Sequence, residues 1–381
     1  MMFEKRCDGD GEIRHTRRMQ SASIRKWLLA LILLAVIFWT IVYFYDQSAQ
    51  KAEKVTRVIL EPQGFFPYHK PGVSGSNANQ LSAADAATAP QTMRQKVEEW
   101  LALHHRAADS LLAAFHVLDD TNYLKEAATN FPDNPQVELT VLTRNVFPDD
   151  RRKWLDLYKA SSPSNSLANY LSAQTYFQNG QSDAAVKDLV AATGKPDFEN
   201  YTLESQLNTE ELGLYCGESA LKSVETAMAS SAGDAALATL KQLAAQMTDL
   251  QKQELNVGDN NSAENLAQMG MMLGDQLNSG ANGNYLVNQL AGLAIQSMML
   301  DQLNSNTGYD FLDGATPAQR LRDIKLQEFE LNQLVKHFEA IKPDLTDAEK
   351  VSCYERTRIY GEVPALQWAL QQRGNLPGGQ Q

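Results

Sequence analysis

Residues 166–193 read SLANYLSAQTYFQNGQSDAAVKDLVAAT, and their spacing predicts two helices folded back on one another. Small and large apolar residues recur at helical intervals before and after Gly180, which is the period of paired helices and not of a strand. Gly180 stands where the chain must reverse, and glycine enters the left-handed region at no steric cost. Ala173 and Ala185 are small enough for the two helices to approach closely, and Tyr176 and Leu189 fill the gap between them.

The pattern continues upstream. Phe131-Pro132-Asp133-Asn134 and Phe147-Pro148-Asp149-Asp150 match at an interval of sixteen residues, and Pro163 follows in a third polar cluster. Each cluster ends one helix and starts the next, which predicts short helices over Gln136–Phe147 and Arg151–Ala160. About sixteen residues per helix is about thirty-two per pair, near the period of paired-helix solenoids.

The 166–193 stretch resembles a tetratricopeptide repeat through Ala173, Tyr176, Gly180, Ala185 and Leu189, with Pro196 near the closing proline of that family. Asn169 and Ser172 depart from it, standing where the family prefers tryptophan and leucine. The resemblance covers this repeat and extends over roughly 119–196. It implies a helical solenoid whose work is to bind a peptide or partner protein. On that reading Asn169, Gln174 and Gln178, polar residues of the first helix, meet the partner.

Further out, Val97, Leu101, His104, Ala108, Leu111, Phe115 and Leu118 form one apolar stripe, read as a single helix of about six turns. Downstream, periodicity predicts helices over Glu210–Ser230, Gly233–Gln253, 262–278 and 283–304. Thr316-Pro317-Ala318-Gln319 starts a helix to Ile341 with a capping box, Thr346-Asp347-Ala348-Glu349 starts another, and Pro364 opens a last one to about Gln372. No useful strand alternation occurs. The fold class expected is all-α: tetratricopeptide-like repeats over 93–204, a C-terminal helical domain over 205–375, and a loose tail at 376–381.

Trp27–Tyr45, WLLALILLAVIFWTIVYFY, holds nineteen residues without a charge. As a helix it spans about 28 Å, the thickness of a bilayer core, with Trp27, Trp39, Tyr43 and Tyr45 towards its ends. Residues 1–26 carry seven Lys and Arg against four Asp and Glu, which favours a cytoplasmic amino terminus and places the main domain outside. A cleaved signal peptide fits less well, because the apolar run is long and Asp46-Gln47-Ser48-Ala49-Gln50 is a poor cleavage site. Residues 46–92 form a juxtamembrane segment and a small, polar linker that would hold the domain about 25 Å from the bilayer. The localisation expected is a single-pass membrane protein with an extracytoplasmic domain, periplasmic in a bacterium.

Chemistry is sparse. A net charge of −12 repels phosphate backbones, so nucleic acid is not an expected partner. His105, Asp109 and His116 share a side of one predicted helix, but eleven residues, about 16 Å, separate the histidines, too far for one ion. His104, on the apolar stripe, reads as a core histidine and His337 as a surface one. No phosphate-loop, dinucleotide, zinc-protease or nucleophile-elbow motif occurs. Asp119-Asp120 and Glu210-Glu211 point about 100° apart and fit the first turns of helices better than an acid–base pair. Met269, Met271, Met272, Met298 and Met299 read as core packing. Cys216 and Cys353 leave two alternatives open, a disulfide closing a long loop or two separate buried thiols.

The function expected is a membrane-anchored adaptor or scaffold that binds a partner protein outside the cytoplasm, with no enzymatic activity, cofactor, metal or catalytic residue. The alternatives are a structural homo-oligomer, or a helical accessory or hydrolase domain with its carboxylate in a deep cleft.

Overall fold

Thr92 opens the first helix with a capping box: its hydroxyl accepts the Gln95 N–H at 3.3 Å, and the Gln95 side chain accepts the Thr92 N–H at 2.7 Å. The structure is a computed structural model that describes residues 92–229, 233–280 and 282–374. The expected tail, the anchor at Trp27–Tyr45, the linker up to residue 91 and the end tail at 376–381 lie outside the described residues. Among the described residues no helix is long and apolar enough to cross a membrane.

The protein is all-α. Fifteen helices are described: α1 (Met93–Leu103), α2 (Ala108–Leu118), α3 (Thr121–Asn130), α4 (Pro135–Arg144), α5 (Arg151–Ser161), α6 (Leu167–Gln178), α7 (Ser182–Thr193) and α8 (Thr202–Tyr215). Then come α9 (Ala220–Ala229), α10 (Gly233–Val257), α11 (Asn260–Leu277), α12 (Leu286–Leu300), α13 (Pro317–Ile341), α14 (Asp347–Tyr360) and α15 (Glu362–Gln372). Among the described residues there is no strand, only an isolated bridge between Asn165 and Asp197.

Two expected helices are broken. The apolar stripe from Val97 to Leu118 spans α1 and α2, which a turn at His104–Ala107 separates. His105 and Arg106 take left-handed φ values of 54° and 50° there. The guanidinium of Arg106 holds the turn in place, gripping Glu126 through Nε and Nη2 at 2.6 and 2.7 Å and Glu98 through Nη1 at 2.7 Å. The periodicity survives the break because both helices face the core, so it could not report the turn. The helix expected over Glu210–Ser230 divides at Gly217, whose φ is +85°, into α8 and α9.

Consecutive helices pair: α2 with α3, α4 with α5, α6 with α7, α8 with α9, α11 with α12 and α14 with α15. Packing also reaches across the chain. Helix α8 runs through residue 204 and lies against α1 and α2, while α10 lies along α6 and touches α4. All described elements fall within one compact unit, Gly64–Gln381. Helices α11 and α12 cross where two glycines meet: a Cβ on Gly274 would stand 2.7 Å from the Gly292 carbonyl oxygen, and one on Gly292 would stand 2.6 Å from that of Gly274.

Candidate partner-binding face

In the hairpin of α6 and α7, Ala173, Ala185 and Leu189 are fully buried between the helices, and Gly180 makes the turn with φ +70°. Tyr176 is half-buried, with the Arg152 guanidinium 4.9 Å from its ring centroid. Asp188 of α7 gathers the polar groups of its neighbours. Its carboxylate pairs with Lys159 at 2.6 and 2.7 Å and accepts from the Ser172 hydroxyl and, at 3.3 Å, from the Asn169 amide.

Two of the three residues expected to meet a partner therefore lie inside the fold. Asn169 is 4% exposed and bonded to Asp188, and Gln174 is 2% exposed and donates to the Gln242 side chain of α10 at 3.3 Å. Gln178, at the end of α6, is exposed. The side of α6 away from the hairpin is covered by α10 of the same chain.

An apolar stripe remains open elsewhere. Leu207 and Leu214 of α8 are 49% and 48% exposed, with Tyr215 beside them at 39% and Leu103, at the end of α1, at 62%. Leu207, Glu211 and Leu214 are four and three residues apart and share one helix face. Helix α1 is tied to this helix by Lys96 Nζ, which donates to the Cys216 carbonyl at 2.6 Å, and by His104 Nε2, 3.6 Å from Glu211. Helix α8 carries Glu204, Glu210 and Glu211 and no basic residue. Leu214 is not a core residue: it stays open to solvent three residues before Gly217, whose φ of +85° marks the turn after α8.

His104 is likewise not a core residue. It caps the end of α1 with its side chain 39% exposed, and its ring lies 4.0 Å from that of Trp100. His116 is half-buried with its Nδ1 shut off from solvent, and desolvation together with the Arg144 charge holds it down at about 3, keeping the imidazole neutral. No group of three His, Cys, Asp or Glu side chains that could hold a metal ion occurs among the described residues. Met271 and Met299 are buried in the core and Met269 and Met298 pack against it.

Asp119 ends α2 in a left-handed conformation and Asp120 caps α3. Glu210 and Glu211 sit in the later part of α8, not in its first turn, and Glu210 is paired with Arg358 of α14. Cys216 and Cys353 are separate, buried, free thiols. Burial pushes both up, Cys353 to about 12, so neither is poised as a nucleophile.

Two carboxyls are held in the interior. Glu138 of α4 is fully buried, and burial raises it to about 7 against the opposing hydrogen bond from Ser161. Glu362 accepts the Leu286 N–H at 2.8 Å at the start of α12, and burial raises it to about 7. The pattern around Glu138 gave no sign of this, since a glutamate one turn into a helix reads as a dipole partner on the surface.

No protein-family model matches the chain, and it has no match among curated proteins or among solved structures.

Proposed function

We propose that this chain is a membrane-anchored helical adaptor that holds a partner protein on the extracytoplasmic side. The observation that carries the reading is the open apolar pair of Leu207 and Leu214 on one face of α8, with Tyr215 next to Leu214 in the chain and Leu103 exposed at the end of α1, in a fold that covers most of its other large apolar side chains. Its surroundings are acidic, with Glu99, Glu204, Glu211 and Glu218 on or beside the two helices. The occupant that complements this surface is a basic amphipathic helix, its apolar side on the leucines and its Lys or Arg over the glutamates. The anchor rests on the sequence of Trp27–Tyr45 and the repeat character on the resemblance at 166–193. On this reading the chain is not an enzyme and needs no cofactor.

A second reading, a homo-oligomeric membrane component, draws support from α13, where Leu326 and Phe329 are 60% and 59% exposed at adjacent positions of one face. Cross-linking in native membranes, followed by capture and mass spectrometry of the cross-linked peptides, tests both. Cross-links from α8 to a basic segment of another protein support the adaptor. Recovery of the chain joined only to itself through α13 overturns it in favour of the oligomer.

A further inference from the structure

Arg358 stands in the last turn of α14 with its side chain 8% exposed. One corner of its guanidinium, Nη1, donates to Glu210 of α8. The other edge, Nε and Nη2, is buried, and among the described residues no protein group accepts from either nitrogen. These two nitrogens lie on the same edge of a planar group. Their N–H bonds point the same way, at the separation of the two oxygens of a carboxylate.

Arg106 shows what this fold does with that edge when it closes it with its own atoms. There Nε and Nη2 take both oxygens of Glu126 at 2.6 and 2.7 Å, while Nη1 takes Glu98. Arg358 reproduces half of that arrangement, a single carboxylate on Nη1. Arg106 manages its three bonds with 37% of its side chain exposed, whereas Arg358 is the more buried of the two. A buried guanidinium edge without an acceptor costs stability, and a fold tolerates that cost where the edge serves a ligand.

The neighbours narrow the ligand. The Tyr285 phenol lies within the field of Arg358, which partly offsets the rise that burial gives it, and its hydroxyl donates to Gln206 at 3.1 Å. Glu362 is committed to the Leu286 N–H. Glu204 and Glu362 act on the same phenol, and Glu210 already occupies Nη1. A single carboxylate beside Glu210 would give Arg358 the two carboxylates that Arg106 holds, whereas a dianion would exceed that number and meet the Glu204 and Glu362 charges as well. Leu207, 49% exposed, precedes Glu210 by three residues on α8 and shares its side of that helix, an apolar surface one turn from the carboxylate on Nη1.

We propose that the Nε/Nη2 edge of Arg358, between α8 and α14, is a binding site for a monocarboxylate with an apolar body. The site does not depend on a partner docking at α8. A ligand seated there shares the Arg358 guanidinium with Glu210, so the two carboxylates oppose one another across it.

The test uses the purified full-length chain in an uncharged detergent, with benzoate and butyrate as probes and inorganic phosphate as the competitor class, at constant ionic strength. The readout is the Arg358 Nε–H resonance in a nitrogen–proton correlation spectrum. Saturable movement of that resonance with benzoate or butyrate and not with phosphate is the expected result. Arg358→Lys, checked for fold by circular dichroism, should weaken binding about tenfold or more, because an ammonium cannot offer two parallel donors. If that variant fails to fold, Glu210→Gln keeps the test open. Removing the resident carboxylate should tighten binding at this edge and leave binding elsewhere unchanged. No saturable shift, equal binding of phosphate, or binding indifferent to both substitutions overturns the proposal.

Discussion

Asn165 and Glu199 hydrogen-bond through both halves of the Asn165 amide: Nδ2 donates to the Glu199 carbonyl at 2.8 Å and Oδ1 accepts the Glu199 N–H at 3.0 Å. The same side chain donates to the Tyr158 hydroxyl at 3.0 Å and accepts the Leu167 N–H at 3.0 Å. Ser166 adds its N–H and its hydroxyl on the Asp197 carbonyl, at 2.8 and 2.9 Å. One buried amide thus clasps the turn before α6 to the segment before α8, and so helps to position the helix that carries the open stripe.

Asn165→Ala would take the acceptor from the Leu167 and Glu199 N–H groups, while the Tyr158 hydroxyl and the Glu199 carbonyl keep their own hydrogen bond at 3.2 Å. Each unmet buried group costs about 1–3 kcal/mol, so we expect a loss of about 2 kcal/mol. Asn165→Asp keeps the acceptor and loses both donors, and should recover only part of the loss. Urea unfolding followed by far-ultraviolet circular dichroism measures both; a loss under about 1 kcal/mol for the alanine variant would show that water replaces the amide.

The crossing of α11 and α12 gives a second expectation. Gly274→Ala places a methyl 2.7 Å from the Gly292 carbonyl oxygen, which is backbone and cannot step aside, and 2.5 Å from Gln296 Cγ. Alanine returns about 1 kcal/mol of helix propensity, but forcing the helices apart costs about 1–3 kcal/mol. The variant should be net destabilised, as should Gly292→Ala. Gly194→Ala is the control: nothing lies within 4 Å of the position its methyl would take, and it should be near neutral. Equal effects at Gly194 and Gly274 in the same unfolding assay would exclude close helix contact as the cause.

What the sequence made legible was local. Thr316 with Gln319 and Thr346 with Glu349 form the capping boxes their spacing announces, and Gly180 turns the hairpin as a glycine there should. What escaped was non-local. The hydrogen bonds of Asn165 reach Glu199, thirty-four residues on, and the cover over α6 comes from α10, so polar residues of α6 that read as outward-facing are interior. His105 and Arg106 adopt a left-handed turn that neither residue type announces. The stripe on α8 could have been seen, since Leu207 and Leu214 are seven residues apart. A leucine repeat in a helix does not say whether it faces core or solvent.

Glu138 sets a pH dependence. The unfolded chain loses this proton near the ordinary value of 4.5, and the folded chain holds it to about 7. Between those values the native state binds more protons than the unfolded state. Stability is therefore highest below about pH 4.5 as far as this group is concerned, falls as pH rises towards about 7, and then levels off. Glu362 acts in the same direction. At 1.36 kcal/mol per unit the Glu138 contribution is at most about 3 kcal/mol. Glu138→Gln, which stays neutral and can still meet Ser161, should be more stable than the parent at about pH 8 and should flatten the slope between about pH 5 and pH 7. Urea midpoints across that range decide it; parallel curves for the two proteins would place the titrating group elsewhere.

The open stripe makes the most direct prediction about function. Leu207 and Leu214 are about half exposed, so replacing each by glutamate removes little from the core and should change stability by no more than about 0.5 kcal/mol per site. A partner helix seated there would lose its apolar contact and meet an unpaired carboxylate at each position, which should weaken binding by about a hundredfold or more. Lys substitutions separate the two contributions, since they remove the apolar contact while adding charge of the sign the partner is proposed to carry. They should weaken binding more than glutamate does if the partner is basic, and less if it is acidic. Pull-down from solubilised membranes with the parent and both variant pairs reads this directly. Retained binding in every variant would remove α8 from the interface, because no partner seated on these leucines tolerates charge of both signs in their place.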